Sequence, residues 1–388
     1  MDDFKEKTLR LHAKNIGKLD VLPNVELNTK DDLSMAYTPG VAIPCLEIVQ
    51  DESAALKYTL KGKTVAIVTD GSAVLGLGNI GPVASLPVME GKSALLYQYS
   101  KIQAFPICLD THDPDEIIKT VKYIAPTFGA IMLEDIKAPE CVYIEKELQS
   151  ALDIPVFHDD QHGTAIVVGA ALKNAARCLK RNLEALKVVV CGTGAAGNAI
   201  IKILHRLGID DVFAVNQFGV LNEHQTELLN FVEIDMLQNR LIKSPDSKIN
   251  TLKDIIVGKD VFIGVSAKNI LTKEMVESMN KERIVFALAN PDPEIHPVLA
   301  KEAHATIIGT GRSDFPNQIN NVLVFPGLMK GLIESHAKSV TDEMKLAALN
   351  AIASLVSDEE LSQEYILPSI FDKRVADAVS KAIKKNKI

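Results

Sequence analysis

The chain has 388 residues, 47% of them apolar and 24% charged, with a formal net charge of -8. That length exceeds one ordinary core and predicts two domains with a cleft between them, and the composition lies far from that of disordered chains. Acidic and basic residues are well mixed and form no basic stripe, which excludes nucleic acid as an expected partner.

The opening segment, MDDFKEKTLRLHAKN, has no apolar core of signal-peptide length, and the longest apolar run, AIVVGAAL from Ala165, stops at Lys173, short of a membrane span. A cytoplasmic protein without membrane contact is expected. The five cysteines, at 45, 108, 141, 178 and 191, form no CxxC pair, which argues against a disulfide framework or zinc knuckle and for buried thiols.

From Lys63 onward, β-branched runs alternate with helical patterns: TVAIVTD, KSALLYQYSKI, AFPICLD, DPDEIIKTVKYIAPTF, AIMLED, CVYIEKELQSAL and PVFHDD. The alternation predicts a mostly parallel sheet covered by helices, with ligands at the carboxyl ends of the strands. Acidic residues stand at those ends: Asp70, Asp110, Glu134 with Asp135, and Asp159 with Asp160. Converging carboxylates suit a hard divalent cation, although an ED or DD pair is equally a solvated surface feature, and the residues alone leave both open. His158 and His162 have the spacing of a helical zinc site, but PVF before them reads as strand and no glutamate lies between, so zinc is disfavoured. Lys92, where a helical pattern opens, and Tyr37, in SMAYTPGVA, could each be catalytic or simply a surface lysine and a packing aromatic.

The pattern GxGxxG occurs twice. At residues 76–81 it runs into Pro82 and a segment, PVASLPV, that reads as non-helical, so the loop is expected to fold over a small substrate, or to be a plain turn, rather than to cradle phosphate. The EGKS that follows resembles the tail of a P-loop, but Leu86 stands where the first glycine is required, which excludes a nucleotide triphosphatase.

A helical stretch over residues 163–181 then leads into a second alternating series, KVVVCG, VFAVN, DVFIGV, RIVFALAN and ATIIGTG. Here Gly192, Thr193, Gly194, Ala195, Ala196 and Gly197 follow a strand and open a helix, as a pyrophosphate-binding turn requires; a bare strand-to-helix turn is the alternative. The fold class predicted is α/β: a smaller α/β domain over residues 1–160, then a Rossmann-type doubly wound parallel sheet over 161–388, with the active site in the cleft. After Pro326 the pattern is helical, and KAIKKNKI reads as a solvated helix end.

The second Rossmann strand ends at Asn216, where NAD enzymes usually carry an acid and NADP enzymes have a cation nearby. Asn216 can hydrogen-bond the ribose, and the next residues, QFGVLNEHQTE, hold no Lys or Arg and include Glu223. NAD is the expected cofactor, with NADP possible.

Eight ordered segments give the chain its resemblance to a known family: AYTPGVA at 36–42, VTDGSAVLGLGNIG at 68–81, PVMEGK at 87–92, LED at 133–135, FHDDQHGTA at 157–165, VVVCGTGAAG at 188–197, FALANPDPEI at 286–295 and NNVLVFPG at 320–327. Together they resemble the malic enzymes, of the short bacterial type. The resemblance implies oxidative decarboxylation of (S)-malate to pyruvate and CO2, with reduction of NAD(P) and dependence on Mg2+ or Mn2+. It implies Tyr37 as general acid, Lys92 as general base, and Glu134, Asp135 and Asp160 as metal ligands. Asp159 joins that network and sets the charge state of Lys92, whose pKa is expected to be lowered in the cleft beside the metal. Asn290, with one or both of Asn320 and Asn321, is implied to hold malate and the nicotinamide ribose, and a homodimer is the family expectation. Longer malic enzymes carry an arginine where this chain has Ala73, so no cation is named for the distal carboxylate. A malolactic-type lyase, or an oxaloacetate decarboxylase on the same scaffold, is the alternative.

Overall fold

The computed structural model describes residues 2–74, 76–246 and 249–387; Leu75, in the first glycine-rich segment, and Ile388, at the end of the lysine-rich tail, lie outside the described residues. Four strands form the first sheet: β1 (Thr64–Thr69), β2 (Gln103–Cys108), β3 (Ala130–Leu133) and β4 (Val156–His158). They are parallel, in the order β2-β1-β3-β4. Every residue of the central β1 and β3 is buried, because helices cover both faces, and this is why those strands read as unbroken apolar runs.

The second sheet holds β5 (Lys187–Cys191), β6 (Asp211–Asn216), β7 (Gly219–Val220), β8 (Val261–Gly264), β9 (Ile284–Ala287) and β10 (Ile307–Thr310). Its order is β10-β9-β8-β5-β6-β7, parallel except for the short antiparallel pairing of β6 with β7. The chain leaves β5 toward β6 on one side and returns on the other as β8, so the order reverses at β5, and a crevice opens at the carboxyl ends there.

The helix Thr164–Cys178 lies between the two sheets and is buried on nearly every side, as its apolar circumference requires. One apolar cluster takes in Val65, Ile67 and Phe157 of the first sheet, Ile166 and Leu172 of this helix, and Val188 and Val190 of the second sheet.

Four expectations need correction. The segment PVASLPV is helical, part of a helix Gly81–Ser100 that has Pro82 in its first turn and Pro87 inside. Pro82 costs nothing there, since a first-turn N–H has no partner within a helix. Lys92 therefore stands mid-helix rather than at a helix start. The C-terminal tail is also more than a solvated end: in the helix Arg374–Lys385, Val379 and Ile383 are buried, and a Cβ at Gly331 of the helix Phe325–Glu334 would stand 2.6 Å from Ile383 Cβ, so these two helices pack closely. Cys45 is exposed rather than buried. The short β7 was not predicted, since its two residues lie inside what reads as a turn.

The N-terminal helices Lys30–Ala36 and Ala42–Gln50 bury no side chain, and the second leaves Ile43, Leu46 and Val49 67%, 61% and 82% exposed. Among the described residues no helix is long and apolar enough to cross a membrane.

Candidate active site

The strand ends of the first sheet bring the acidic pairs together. Glu134 and Asp135 follow β3, and Asp159 and Asp160 follow β4 in a tight π-type turn, Asp159–Gly163. Asp135 has a φ of 52°, in the left-handed region that Asp tolerates better than bulkier residues. That kink lets its N–H donate to Asp160 Oδ2 at 2.9 Å while its carbonyl accepts from Ala73 N at 2.9 Å, so the loop after β1 and the ends of β3 and β4 are tied at one point. Carboxylate oxygens of Glu134, Asp135 and Asp160 all lie within 4.8 Å of one another.

Lys92 enters from the neighbouring helix. Its Nζ stands 2.8 Å from Glu134 Oε1, bonds Asp159 Oδ2, and lies 4.7 Å from the centre of the Phe325 ring. Burial pushes Lys92 down, but Asp159, Glu134 and Asp160 outweigh it and hold the ammonium above its ordinary value. Three carboxylates act on one cation, and a cluster of net negative charge holds its protons. The same cause acts on the acids. Burial and Asp160 hold Glu134 well above the usual carboxylate range, and burial pushes Asp159 up to about 6 against the pull of Lys92.

Glu134 Oε2 and Asp159 Oδ1 are buried and accept no hydrogen bond among the described residues. Orphaned carboxylate oxygens are costly unless a cation or donor meets them. Three converging carboxylates of net negative charge, with an orphaned oxygen on Glu134, fit a hard divalent ion. His162 does not join them, since its Nε2 pairs with Glu145 Oε2 at 2.9 Å; His158 is fully buried beside them, its Nδ1 3.9 Å from Asp160 Oδ2.

The amides divide. A Cβ at Gly163 would overlap Asp159 and stand 3.1 Å from Asn321 Cβ, which sets Asn321 directly beside the acidic turn. Asn320 instead accepts Val322 N at 2.9 Å, and its amide oxygen serves as a helix cap. Asn290 is held between two glycines: a Cβ at Gly76 would lie 2.8 Å from its carbonyl, and one at Gly311 would lie 2.5 Å from its Nδ2. The first glycine motif, with φ of 75° at Gly76 and 72° at Gly78, therefore serves a close approach to Asn290. Tyr37 stands apart. It is 66% exposed, and its hydroxyl makes no hydrogen bond among the described residues.

A cavity of about 810 Å³ opens at the carboxyl end of β5, lined by Gly192, Thr193, Gly194, Asn216 and Glu233. Gly192 has a φ of 105°, and a Cβ on Gly197 would overlap the Gly192 carbonyl, whereas a Cβ on Gly194 would meet nothing closer than Ala138 Cβ at 3.9 Å. The first and third glycines are thus required by packing, and the second leaves an open approach to the helix Ala195–Arg206, which has no side-chain cap on its first N–H groups. Ala195 and Ala196 form its first turn and pack inward. Ala138, three residues after Asp135 in the chain, lines the same cavity.

Glu233 is the residue that sequence reading missed. It is buried, and its Oε1 accepts from Thr193 Oγ1 at 2.5 Å and Asn216 Nδ2 at 2.9 Å. Its Oε2 accepts Asn230 N at 3.0 Å in a capping box, the one local signal that could have marked it. Glu223, the acid noted from the sequence, is exposed and does not line the cavity.

Profiles of the malic enzyme N-terminal domain and the malic enzyme NAD-binding domain match residues 16–149 and 161–387. The bifunctional malic/malolactic enzyme of Bacillus subtilis strain 168 is 52% identical over 98% of this chain and 92% of its own length. The NADP-dependent malic enzyme of Escherichia coli K12 is 44% identical over 99% of this chain, which spans 52% of that longer protein. The crystal structure of the NAD-dependent malic enzyme of Thermotoga maritima, 46% identical, superposes with a TM-score of 0.93 over 98% of this chain and 99% of that one. With both halves matched in order and the acidic cluster beside a dinucleotide cavity, the chain belongs to the malic enzyme family.

Proposed function

We propose that the chain oxidises (S)-malate to pyruvate and CO2 with reduction of NAD, at a Mg2+ or Mn2+ ion held by Glu134, Asp135 and Asp160. The observation that carries this reading is the contact of Lys92 with Glu134 and Asp159 inside a carboxylate cluster that adjoins the dinucleotide cavity. The division of labour we propose is a catalytic N-terminal domain over 1–160 and a dinucleotide-binding domain over 161–388.

A divalent cation would neutralise the carboxylates that hold Lys92 protonated and draw electron density from the C2 oxygen of malate, and the dinucleotide would take the hydride from C2. Lys92, once deprotonated, accepts the C2 hydroxyl proton, and Asp159 keeps its amine aimed at that oxygen. Loss of the carboxylate beta to the new carbonyl leaves an enolate that takes a proton at C3; the family resemblance gives that role to Tyr37, which a single chain leaves apart from the cluster. Asn321, beside the acidic turn, and Asn290 orient malate and the nicotinamide ribose.

The preference for NAD rests on Glu233. Its buried carboxylate sits beside Asn216, where a 2′-phosphate would have to lose its hydration next to a negative charge. A preference of about 10-fold corresponds to a little over ~1 kcal/mol. A homodimer is proposed because the apolar face of helix Ala42–Gln50 is uncovered; Tyr37 lies between the two uncovered helices, so a second copy seated there would desolvate it. A malolactic activity is the second reading, favoured by the name of the B. subtilis relative.

The deciding experiment follows NADH absorbance with malate, Mn2+ and each dinucleotide in turn, with pyruvate and lactate measured in parallel. Pyruvate and NADH in equal amounts are expected. Lactate without net NADH would establish the malolactic reading, and a higher kcat/KM with NADP would overturn the NAD preference.

A further inference from the structure

A second cavity, of about 590 Å³, shares no lining residue with the dinucleotide crevice and has a volume within the range of small-molecule sites. It opens between the C-terminal turns of helix Ala195–Arg206 and the first turns of helix Asp342–Ala353. Lys202, Arg206 and Lys345 line it with His162 and His205, against one carboxylate, Asp342. Ala199, Ile203 and Leu241 supply an apolar wall.

That carboxylate is already shared: Asp342 Oδ2 lies 2.6 Å from Arg206 Nη2, and its Oδ1 lies 3.4 Å from Lys345 Nζ, whose side chain is only 12% exposed. Lys202 is half-buried and makes neither a hydrogen bond nor an ion pair among the described residues. Desolvation holds its ammonium below the ordinary value despite Asp235, Glu145 and Asp342 in the surroundings, and Lys345 adds to the depression. A half-buried ammonium without a direct hydrogen-bond or ion-pair partner, with a second ammonium nearby, is left desolvated in a way that a bound anion would relieve.

We infer that this cavity binds a compact organic polyanion, a molecule that carries two or more phosphate or carboxylate groups on a small carbon frame. The anionic groups bridge Lys202, Arg206 and Lys345, and the frame lies on Ala199, Ile203 and Leu241. The inference does not depend on the reaction proposed above. Its place in the fold couples it to both functional elements: His162 belongs to the turn that carries Asp159 and Asp160, and the helix with Lys202 begins beside Gly194 at the dinucleotide cavity.

The test is calorimetric titration of the full chain with pyrophosphate and, separately, with citrate. Saturating NADH blocks the dinucleotide loop, and metal is omitted so that chelation gives no second site. The expected result is one site per chain with a dissociation constant below about 1 mM for at least one probe. Lys202→Gln, which breaks no hydrogen bond or ion pair, should weaken it by about 10-fold, and Lys202→Gln with Lys345→Met by more. Which probe binds distinguishes phosphate from carboxylate recognition. No binding of either probe up to about 10 mM, or equal affinity in a folded Lys202→Gln variant, would overturn the assignment.

Discussion

Lys92 reaches Glu134 and Asp159 from a helix rather than from the strands that carry those acids, so its removal takes away a proton acceptor and the charge that balances two buried carboxylates. Lys92→Ala should lower kcat by roughly 100-fold or more, as for loss of a positioned base. Because a competing cation has gone, affinity for Mn2+ should stay equal or rise, which a calorimetric metal titration reads independently. Near-normal kcat in the folded variant would take Lys92 out of the reaction. At this scale the sequence was unevenly legible. The acidic pairs were readable because strand ends are where ligands gather, whereas Lys92 looked like any surface lysine until the resemblance gave it a role. The choice between Asn320 and Asn321 depends on which amide caps a helix turn, and Glu233 meets Asn216 only through folding.

The turn Asp159–Gly163 shows how little slack the site has. A Cβ at Gly163 would collide with Asp159 and press on Asn321, so Gly163→Ala must displace a partner of Lys92 or a candidate malate amide. Its cost should be about 1–3 kcal/mol, as for overpacking elsewhere, with a clear fall in kcat. Thermal unfolding and kcat measured together check this; wild-type values for both would mean that the turn shifts freely. Strands were the most legible elements, because β-branched runs bounded by turns leave few alternatives. The start of helix Gly81–Ser100 was misread because prolines at its second and seventh residues look like breakers, although the first turn accepts proline readily.

Across the whole molecule, one apolar cluster joins both sheets, yet the N-terminal helices keep their apolar side chains in solvent. If a second copy covers them, sedimentation at micromolar concentration should give a dimer. Leu46→Asp combined with Val49→Asp should give a folded monomer with much reduced activity, since two desolvated charges would oppose association. A fully active wild-type monomer would end this reading. The architecture of two parallel sheets was legible from the alternation of elements; the uncovered face was not, because an apolar helix reads the same whether its own chain or another covers it. The placement of Lys92 has one further consequence. Its ammonium already balances part of the charge of Glu134 and Asp159, so under the proposed reading a chelator should stop turnover while leaving the thermal midpoint nearly unchanged.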